Sequence, residues 1–406
     1  MVKFIHAADL HMDRSFEGLI GLDKQVQEKL LEANLKVLSN IVEKAIDNNV
    51  DFVLFAGDSF HQNRPSLKIQ KHFFDQMQRL NEKNIDVYMI FGNHDYYQKE
   101  RYWFTFPENV HLFISEEVKT KRLFTKDGEE IAISGFSYLH QWIQADKIVD
   151  FPLRAAVDYH IGIYHGEVRS NQNGNYAPFQ PSRMQEKGYD YWALGHIHVP
   201  LSLNERGTIN YPGAPQGHTQ KEQLAKSVLL VELIPGGCHT TSLEVAELYW
   251  ETKEISLKQA RTTQDVLQVI QTQLKEELPK VTLLDIKVID YHHLNQEVIE
   301  RIQSGELLDY LIEKSTSHSL NLLIWRISIK SEELINRTPL KVSLALVEQI
   351  FEAYRVDEDF YQILSELYGH SEAIRLLGEL PDYHEHTLDR AREILDQDFV
   401  FEEENV

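Results

Sequence analysis

The chain has a single cysteine, Cys238, among 406 residues. One thiol cannot close an internal disulfide or furnish a cysteine-rich zinc site, and such usage fits a reducing compartment. Long apolar runs are missing too. The best, Val228 to Ile234, falls far short of the roughly 18 residues that a membrane span requires and reads as a strand. His6 and Asp9 interrupt the apolar stretch near the N-terminus, so no secretory signal is legible. These absences lead us to expect a cytoplasmic protein with no membrane association. Basic charge is also scarce: 41 Lys and Arg face 63 Asp and Glu, a formal net charge of -22. That balance repels a polyanion unless metal ions or a local basic patch intervene. Internal repeats and low-complexity tracts are absent.

Apolar periodicity organises what is present. Val2 to Ala8 is strand-like, Val26 to Ala45 repeats at helical spacing, and Phe52 to Ala56 returns to a strand. Ser66 caps a helix carrying Ile69, Phe73, Met77 and Leu80, and another strand follows at Ile85 to Phe91. This βαβαβ start implies parallel strands whose functional residues collect beyond their carboxyl ends. Further on, Lys126-Asp127-Gly128 separates two hairpin strands, Val118 to Phe124 and Glu130 to Gly135. Later strands fall at Tyr159 to Tyr164, Tyr191 to Leu194, Ile209 to Tyr211 and Val228 to Leu233. The expected core, residues 1–250, is a mixed two-sheet α/β domain. Residues 251–333 read as a small α+β unit: a capping box at Thr262 and Asp265, a helix stopped by Pro279, a strand Val281 to Ile289, a helix Val298 to Leu311 and a strand Leu320 to Ile329. Residues 334–406 look helical from Pro339 onward, with Leu344, Val347, Ile350 and Phe351 on one face.

The core strands end in residues that carry chemistry. The first gives Asp9-Leu10-His11, the second Gly57-Asp58, the third Gly92-Asn93-His94-Asp95, a fourth His165-Gly166, and the next Gly195-His196-Ile197-His198. Extended geometry would put Asp9 and His11, and likewise His196 and His198, on one side, since side chains alternate with period two. Oxygen and imidazole donors without thiolate suit manganese, iron(II) or zinc. Seven such ligands, one carboxylate being shared, match two adjacent ions about 3.5 to 4 Å apart that clamp both the attacking water and a transferring phosphoryl group. The third strand thus delivers Asn93 to a metal and His94 to the substrate. His6 alternates to the side opposite Asp9 and reads as a supporting residue. Arg64, Lys68, Lys71, Lys99 and Arg101 follow the second and third blocks and could form a local cationic rim.

In this order the blocks resemble the calcineurin-like metallophosphoesterase superfamily. Within it, AADLHMD, GDSFHQNRPS and ALGHIHVP resemble the SbcD/Mre-type DNA nuclease family, in its YhaO-like branch; the motif resemblance covers residues 1 to 235. It implies a four-layer α-β-β-α sandwich followed by a capping domain that meets DNA and a helical C-terminal region. It implies that Asp9, His11, Asp58 and His198 hold one ion and Asp58, Asn93, His165 and His196 the other, manganese foremost, with iron, zinc or magnesium as alternatives. By the same resemblance His94 assists the leaving oxygen, Asp95 orients His94, and His61 lies near the nucleotide. Ser59 departs from the family's usual leucine, which touches packing rather than ligation. The activity implied is a manganese-dependent DNA exonuclease and endonuclease in DNA repair. It would work as a homodimer with an SbcC-like coiled-coil ATPase bound through the C-terminal helices. The alternative is a phosphoesterase acting on small nucleotides or phosphoproteins, which the same ligand set would serve.

Overall fold

The computed structural model describes residues 1–16, 24–62, 64–169, 174–274, 280–315, 321–329, 338–354 and 399–402, with further single positions at 19, 278, 360, 387, 388, 391, 392 and 395. Two compact units are formed, Met1–Ser328 and Ile329–Val406.

The first unit opens as the periodicity requires, with β1 (Val2–Ala7), α1 (Lys24–Asp47), β2 (Phe52–Ala56), α2 (Leu67–Glu82), β3 (Asp86–Ile90) and β4 (Val110–Leu112). A hairpin follows, β5 (Lys119–Phe124) and β6 (Glu130–Gly135), then β7 (Tyr159–His165), α3 (Pro181–Glu186), β8 (Tyr191–Gly195), β9 (Leu201–Ser202) and β10 (Ile209–Tyr211). A second hairpin, β11 (Ser227–Ile234) and β12 (Gly237–Glu244), leads into β13 (Leu248–Ser256), α4 (Thr263–Gln273), β14 (Val281–Ile289), α5 (Gln296–Gln303), α6 (Glu306–Ser315) and β15 (Leu322–Ile329).

Two six-stranded mixed sheets result, ordered β12-β11-β1-β2-β3-β4 and β5-β6-β7-β8-β10-β9. Strands β1 to β4 run parallel, as do β6, β7, β8 and β10. Parallel strands covered on both faces need continuous apolar sequence, and Phe-Val-Leu-Phe-Ala of β2 is buried throughout. Val53 and Phe55 face helices α1 and α2, packing with Leu38, Ile41, Phe73 and Met77. Phe52 and Leu54 face the other way and meet Ile131, Ile133, Ile161 and Ile163 of the second sheet. That sheet's outer face is covered by Met184 of α3 and an aromatic layer including Tyr138, Tyr164, Phe179 and Trp192. The architecture is the α-β-β-α sandwich.

Local signals explain the helix starts. The Ser66 side chain accepts from Ile69 N–H, and Thr262 and Asp265 form the reciprocal cap on α4. The helix expected over Val298 to Leu311 is instead two, because Gly305 takes φ +87°, a conformation that breaks a right-handed helix and suits glycine. A three-stranded sheet, β13-β14-β15, carries α4 to α6. The expected stop at Pro279 lies outside the described residues.

The second unit departs from the purely helical expectation. Helix α7 (Leu344–Tyr354) is preceded by β16 (Thr338–Ser343), which pairs in parallel with β17 (Phe399–Glu402). Pro339 sits in β16, a tolerable place because, among the described residues, each strand of this two-stranded ribbon pairs on one edge only. The Leu-rich stretch 361–386 lies outside the described residues. Among the described residues, no helix is long and apolar enough to cross a membrane.

Two buried histidines join the layers. His6 bridges the sheets, with Nδ1 3.1 Å from the Tyr191 hydroxyl and Nε2 3.0 Å from the Leu194 carbonyl, an arrangement that a neutral ring satisfies on both sides. In His160, Nδ1 accepts Ala155 N–H at 3.0 Å, Nε2 meets Ser134 Oγ at 2.8 Å, and the ring stacks on Tyr189. Burial lowers His160 from 6.5 to about 4, and Arg154 and Arg122 add to it. The native state therefore binds fewer protons than the unfolded chain below pH 6.5, and this contribution is lost as pH falls toward 4. We expect the stability advantage of wild type over His160→Gln to narrow by up to about 1.4 kcal/mol per pH unit across that window. Urea unfolding of the two proteins at pH 7, 5.5 and 4.5 checks it; a pH-independent gap contradicts it.

Candidate metal centre

The ends of β1, β2, β3, β7 and β8 lie along one edge of the sandwich, and the segments that leave them turn toward one another. The turns are not simple continuations of the strands. Asp9, His11, Asp58 and His196 have φ values of +53°, +41°, +52° and +101°, in the region that non-glycine residues rarely adopt. Strain of this kind, of order 1–3 kcal/mol per residue, persists only where surroundings enforce it. Here they do: Asp9 N–H donates to Gly57 O at 3.1 Å, His11 N–H to Asp58 O at 3.0 Å, and His196 N–H to both Asp9 carboxylate oxygens at 3.0 Å. The period-two argument for Asp9 with His11 thus gives the right partners for the wrong reason, since β1 ends at Ala7 and both residues lie in a left-handed turn beyond it.

All seven predicted ligands are brought together. His11 Nε2 lies 3.1 Å from His198 Nε2 and 3.8 Å from Asp58 Oδ2. His165 Nε2 lies 3.3 Å from Asp58 Oδ2 and 3.0 Å from Asn93 Oδ1, and Asn93 Oδ1 is 3.2 Å from His196 Nδ1. Donor atoms of Asp9, His11 and His198 fall within 4.8 Å of one another, as do those of Asp9, Asp58 and His165. Hydrogen bonds fix two of the imidazoles: His165 Nδ1 meets the Ala56 carbonyl at 2.9 Å, which leaves Nε2 to the cluster, and His198 Nδ1 meets Glu222 Oε1 at 2.6 Å.

The donor set fits divalent cations. Burial would lower His165, yet the charge of Asp58, aided by Asp9, raises it to about 9. Carboxylates that draw a proton onto a buried imidazole make a place where a cation is favoured. Burial likewise pushes Asp9 up to about 6 against the pull of His165 and His198. Gly92 leaves the room required: a Cβ there would stand 2.2 Å from Asp58 Oδ1 and 2.7 Å from His165 Nε2. Among the described residues, the buried His11 Nδ1 atom has no hydrogen-bond partner.

His94 is half-buried beside this cluster. Its ring is edge-on to His11 at 5.0 Å and stacked on His61 at 4.6 Å, so both predicted histidines stand together. Its backbone N–H donates to Asp58 Oδ1 at 3.0 Å. Asp95 does something other than orient the His94 ring. Its buried carboxylate accepts from the N–H groups of Gly92, Ser59, Asp58 and Phe60 at 2.7, 2.8, 3.2 and 3.4 Å, which ties the segment after β2 to that after β3. Of the expected cationic rim, Lys71 pairs with Asp75 along α2, and Arg101 lies over the Tyr96 ring at 3.9 Å.

Sequence reasoning missed Asp13 and Glu222. Asp13 accepts from the backbone N–H groups of His61 and Gln62, at 2.5 and 3.0 Å, and so positions the segment bearing His61. Its place two residues after His11 was a usable signal. Glu222 has none, because it lies 24 residues beyond His198, past strands β9 and β10.

Comparisons with known proteins agree with this geometry. Residues 2–200 match the family model described as calcineurin-like phosphoesterase. The chain is 34% identical over 273 residues to the uncharacterized metallophosphoesterase YhaO of Bacillus subtilis (strain 168), covering 66% of this chain and 67% of that protein. It is 24% identical over 280 residues to the DNA double-strand break repair protein Mre11 of Methanopyrus kandleri, covering 63% and 59% of the two chains. With Mre11 of Archaeoglobus fulgidus it shares 25% over 238 residues, covering 54% and 52%. The matches thus span little more than half of each archaeal protein. With the sandwich fold and the imidazole-carboxylate cluster at its strand ends, they establish that the chain belongs to the calcineurin-like metallophosphoesterase family.

Proposed function

We propose that this phosphoesterase is a manganese-dependent DNA nuclease that hydrolyses phosphodiester bonds with two divalent ions. The observation that carries the reading is the meeting of side chains from five strand-end segments in one buried cluster beside His94. Asp9, His11, Asp58 and His198 would hold one ion, and Asp58, Asn93, His165 and His196 the other. Ions held by these residues would supply positive charge for the phosphoryl oxygens and a water of lowered pKa. His94, at the mouth, would protonate the departing sugar oxygen, and His61 would support its ring and face the nucleotide.

The archaeal relatives named for double-strand break repair support DNA as substrate, and the sheet β13-β14-β15 supplies a unit beyond the catalytic sandwich. For the second unit, we propose docking to an SbcC-like ATPase: Leu346 and Ile350, one helical turn apart on α7, are 47% and 45% exposed. A homodimer and a cytoplasmic location complete the proposal. The net charge of -22 favours the second reading, a phosphoesterase acting on small nucleotides or phosphoproteins.

Incubating the purified chain and manganese with end-labelled duplex DNA, a cyclic nucleotide, a phosphopeptide and bis-p-nitrophenyl phosphate separates the two. We expect DNA degradation that a chelator abolishes. Turnover of the small substrates with intact DNA would establish the alternative.

A further inference from the structure

On the metal-site reading above, we infer that Glu222 is a positioning residue for His198, and that the small sheet β13-β14-β15 holds Glu222 in place through Gln220. Glu222 is buried. Oε1 accepts from His198 Nδ1–H at 2.6 Å and from Arg14 Nη1–H at 3.1 Å, and Oε2 accepts from the backbone N–H of His218 at 2.7 Å. With Nδ1 committed as a donor, His198 must present Nε2 to the cluster, where it faces His11 Nε2 at 3.1 Å. A carboxylate behind a ligand imidazole fixes its tautomer and tilt and makes it a better base.

Glu222 belongs to a 3-10 turn, Gln220–Glu222, and the other end of that turn is bound to all three strands of the small sheet. Gln220 Nε2 donates to Thr252 Oγ1 of β13 at 3.1 Å and to Asp285 Oδ2 of β14 at 2.7 Å, and Gln220 Oε1 accepts from Arg326 Nη2 of β15 at 2.7 Å. Arg326 in turn grips Asp285 bidentately, at 3.0 and 2.7 Å, so the anchor is itself rigid. The Trp250 indole N–H donates to the Gly217 carbonyl at 2.9 Å, which pins the approach to the turn. A continuous polar chain therefore runs from the small sheet to a ligand of the metal cluster. Removing the Gln220 anchor would therefore loosen the carboxylate that stands behind His198.

Manganese titration of the intact chain, followed by electron paramagnetic resonance, tests this. Wild type should take up two ions. Glu222→Gln should lose about 10- to 100-fold in affinity at one site with the other unchanged, and Gln220→Ala, which leaves every ligand and the Asp285–Arg326 pair intact, should weaken the same site measurably but less. Melting in chelator provides the control, since a merely structural role lowers the melting temperature without moving the affinity of the folded protein. Should Glu222→Gln fail to fold, Gln220→Ala decides alone. Two wild-type ions with unaltered affinities in the folded variants overturn the positioning role only. A wild-type chain that binds no manganese overturns the metal reading and this inference with it.

Discussion

Replacing His94 with alanine is expected to leave manganese uptake intact and to slow hydrolysis of DNA by about 10²- to 10⁴-fold, the usual contribution of a general acid. The separation of the two effects follows from geometry. What His94 gives the cluster directly is its backbone N–H, which holds Asp58 Oδ1 at 3.0 Å, and alanine keeps that group. What alanine removes is the ring that stands edge-on to His11 and against His61 at the mouth. The donor atoms of His11, His61 and His94 also lie within 4.8 Å of one another, so manganese affinity unchanged at both sites in His94→Ala would also argue that His94 is no ligand. A leaving-group comparison gives the sharper check: p-nitrophenolate departs without a proton, so bis-p-nitrophenyl phosphate should lose far less rate than DNA. Equal losses on both substrates would remove the general-acid assignment.

Gly92→Ala should have the second large effect, on metal binding itself. The added methyl would stand 2.2 Å from Asp58 Oδ1 and 2.7 Å from the Cε1 and Nε2 atoms of His165. The backbone cannot swing aside cheaply, because the Gly92 N–H donates to Asp95 Oδ1 at 2.7 Å, within the set of N–H groups that clamps this segment to the one after β2. Asp58 and His165 must move instead. We expect a stability loss of about 1–3 kcal/mol from overpacking and disappearance of high-affinity manganese binding, and with it activity at ordinary metal concentrations. Gly237→Ala is the matched control, since among the described residues nothing lies within 4 Å of a Cβ there. Manganese titration and thermal melting of both variants read the outcome; a Gly92→Ala protein with wild-type affinity would show that the ligands do not occupy the space assigned to them.

Much of the core was legible because its signals are local. Continuous apolar pentads mark strands covered on both faces, helical spacing marks α1 and α2, and Ser66 and Thr262 mark starts through side-chain caps a few residues away. The break at Gly305 was local as well but depends on a positive φ that glycine permits and does not compel. Strands β16 and β17 escaped notice because their pairing joins residues far apart in the chain, as Thr338 meets Phe399.

By itself the sequence determined which strand ends carry the histidines, carboxylates and amide, since ligand chemistry is a property of residue type and the parallel βαβ order brings those ends to one edge. Only the tertiary structure decided how they are presented. The left-handed turns at Asp9, His11, Asp58 and His196 depend on carbonyl and carboxylate partners supplied by other strands. Asp95 became a clamp on backbone N–H groups rather than a partner of His94 because burial placed it among them. No spacing announces the place of Glu222, which rests on its own contacts with His198 and Arg14 and on those of its neighbour Gln220 with a sheet formed later in the chain. Hydrogen bonds at close range are set by where the backbone goes, and over such separations that is decided by packing, not by neighbours in sequence.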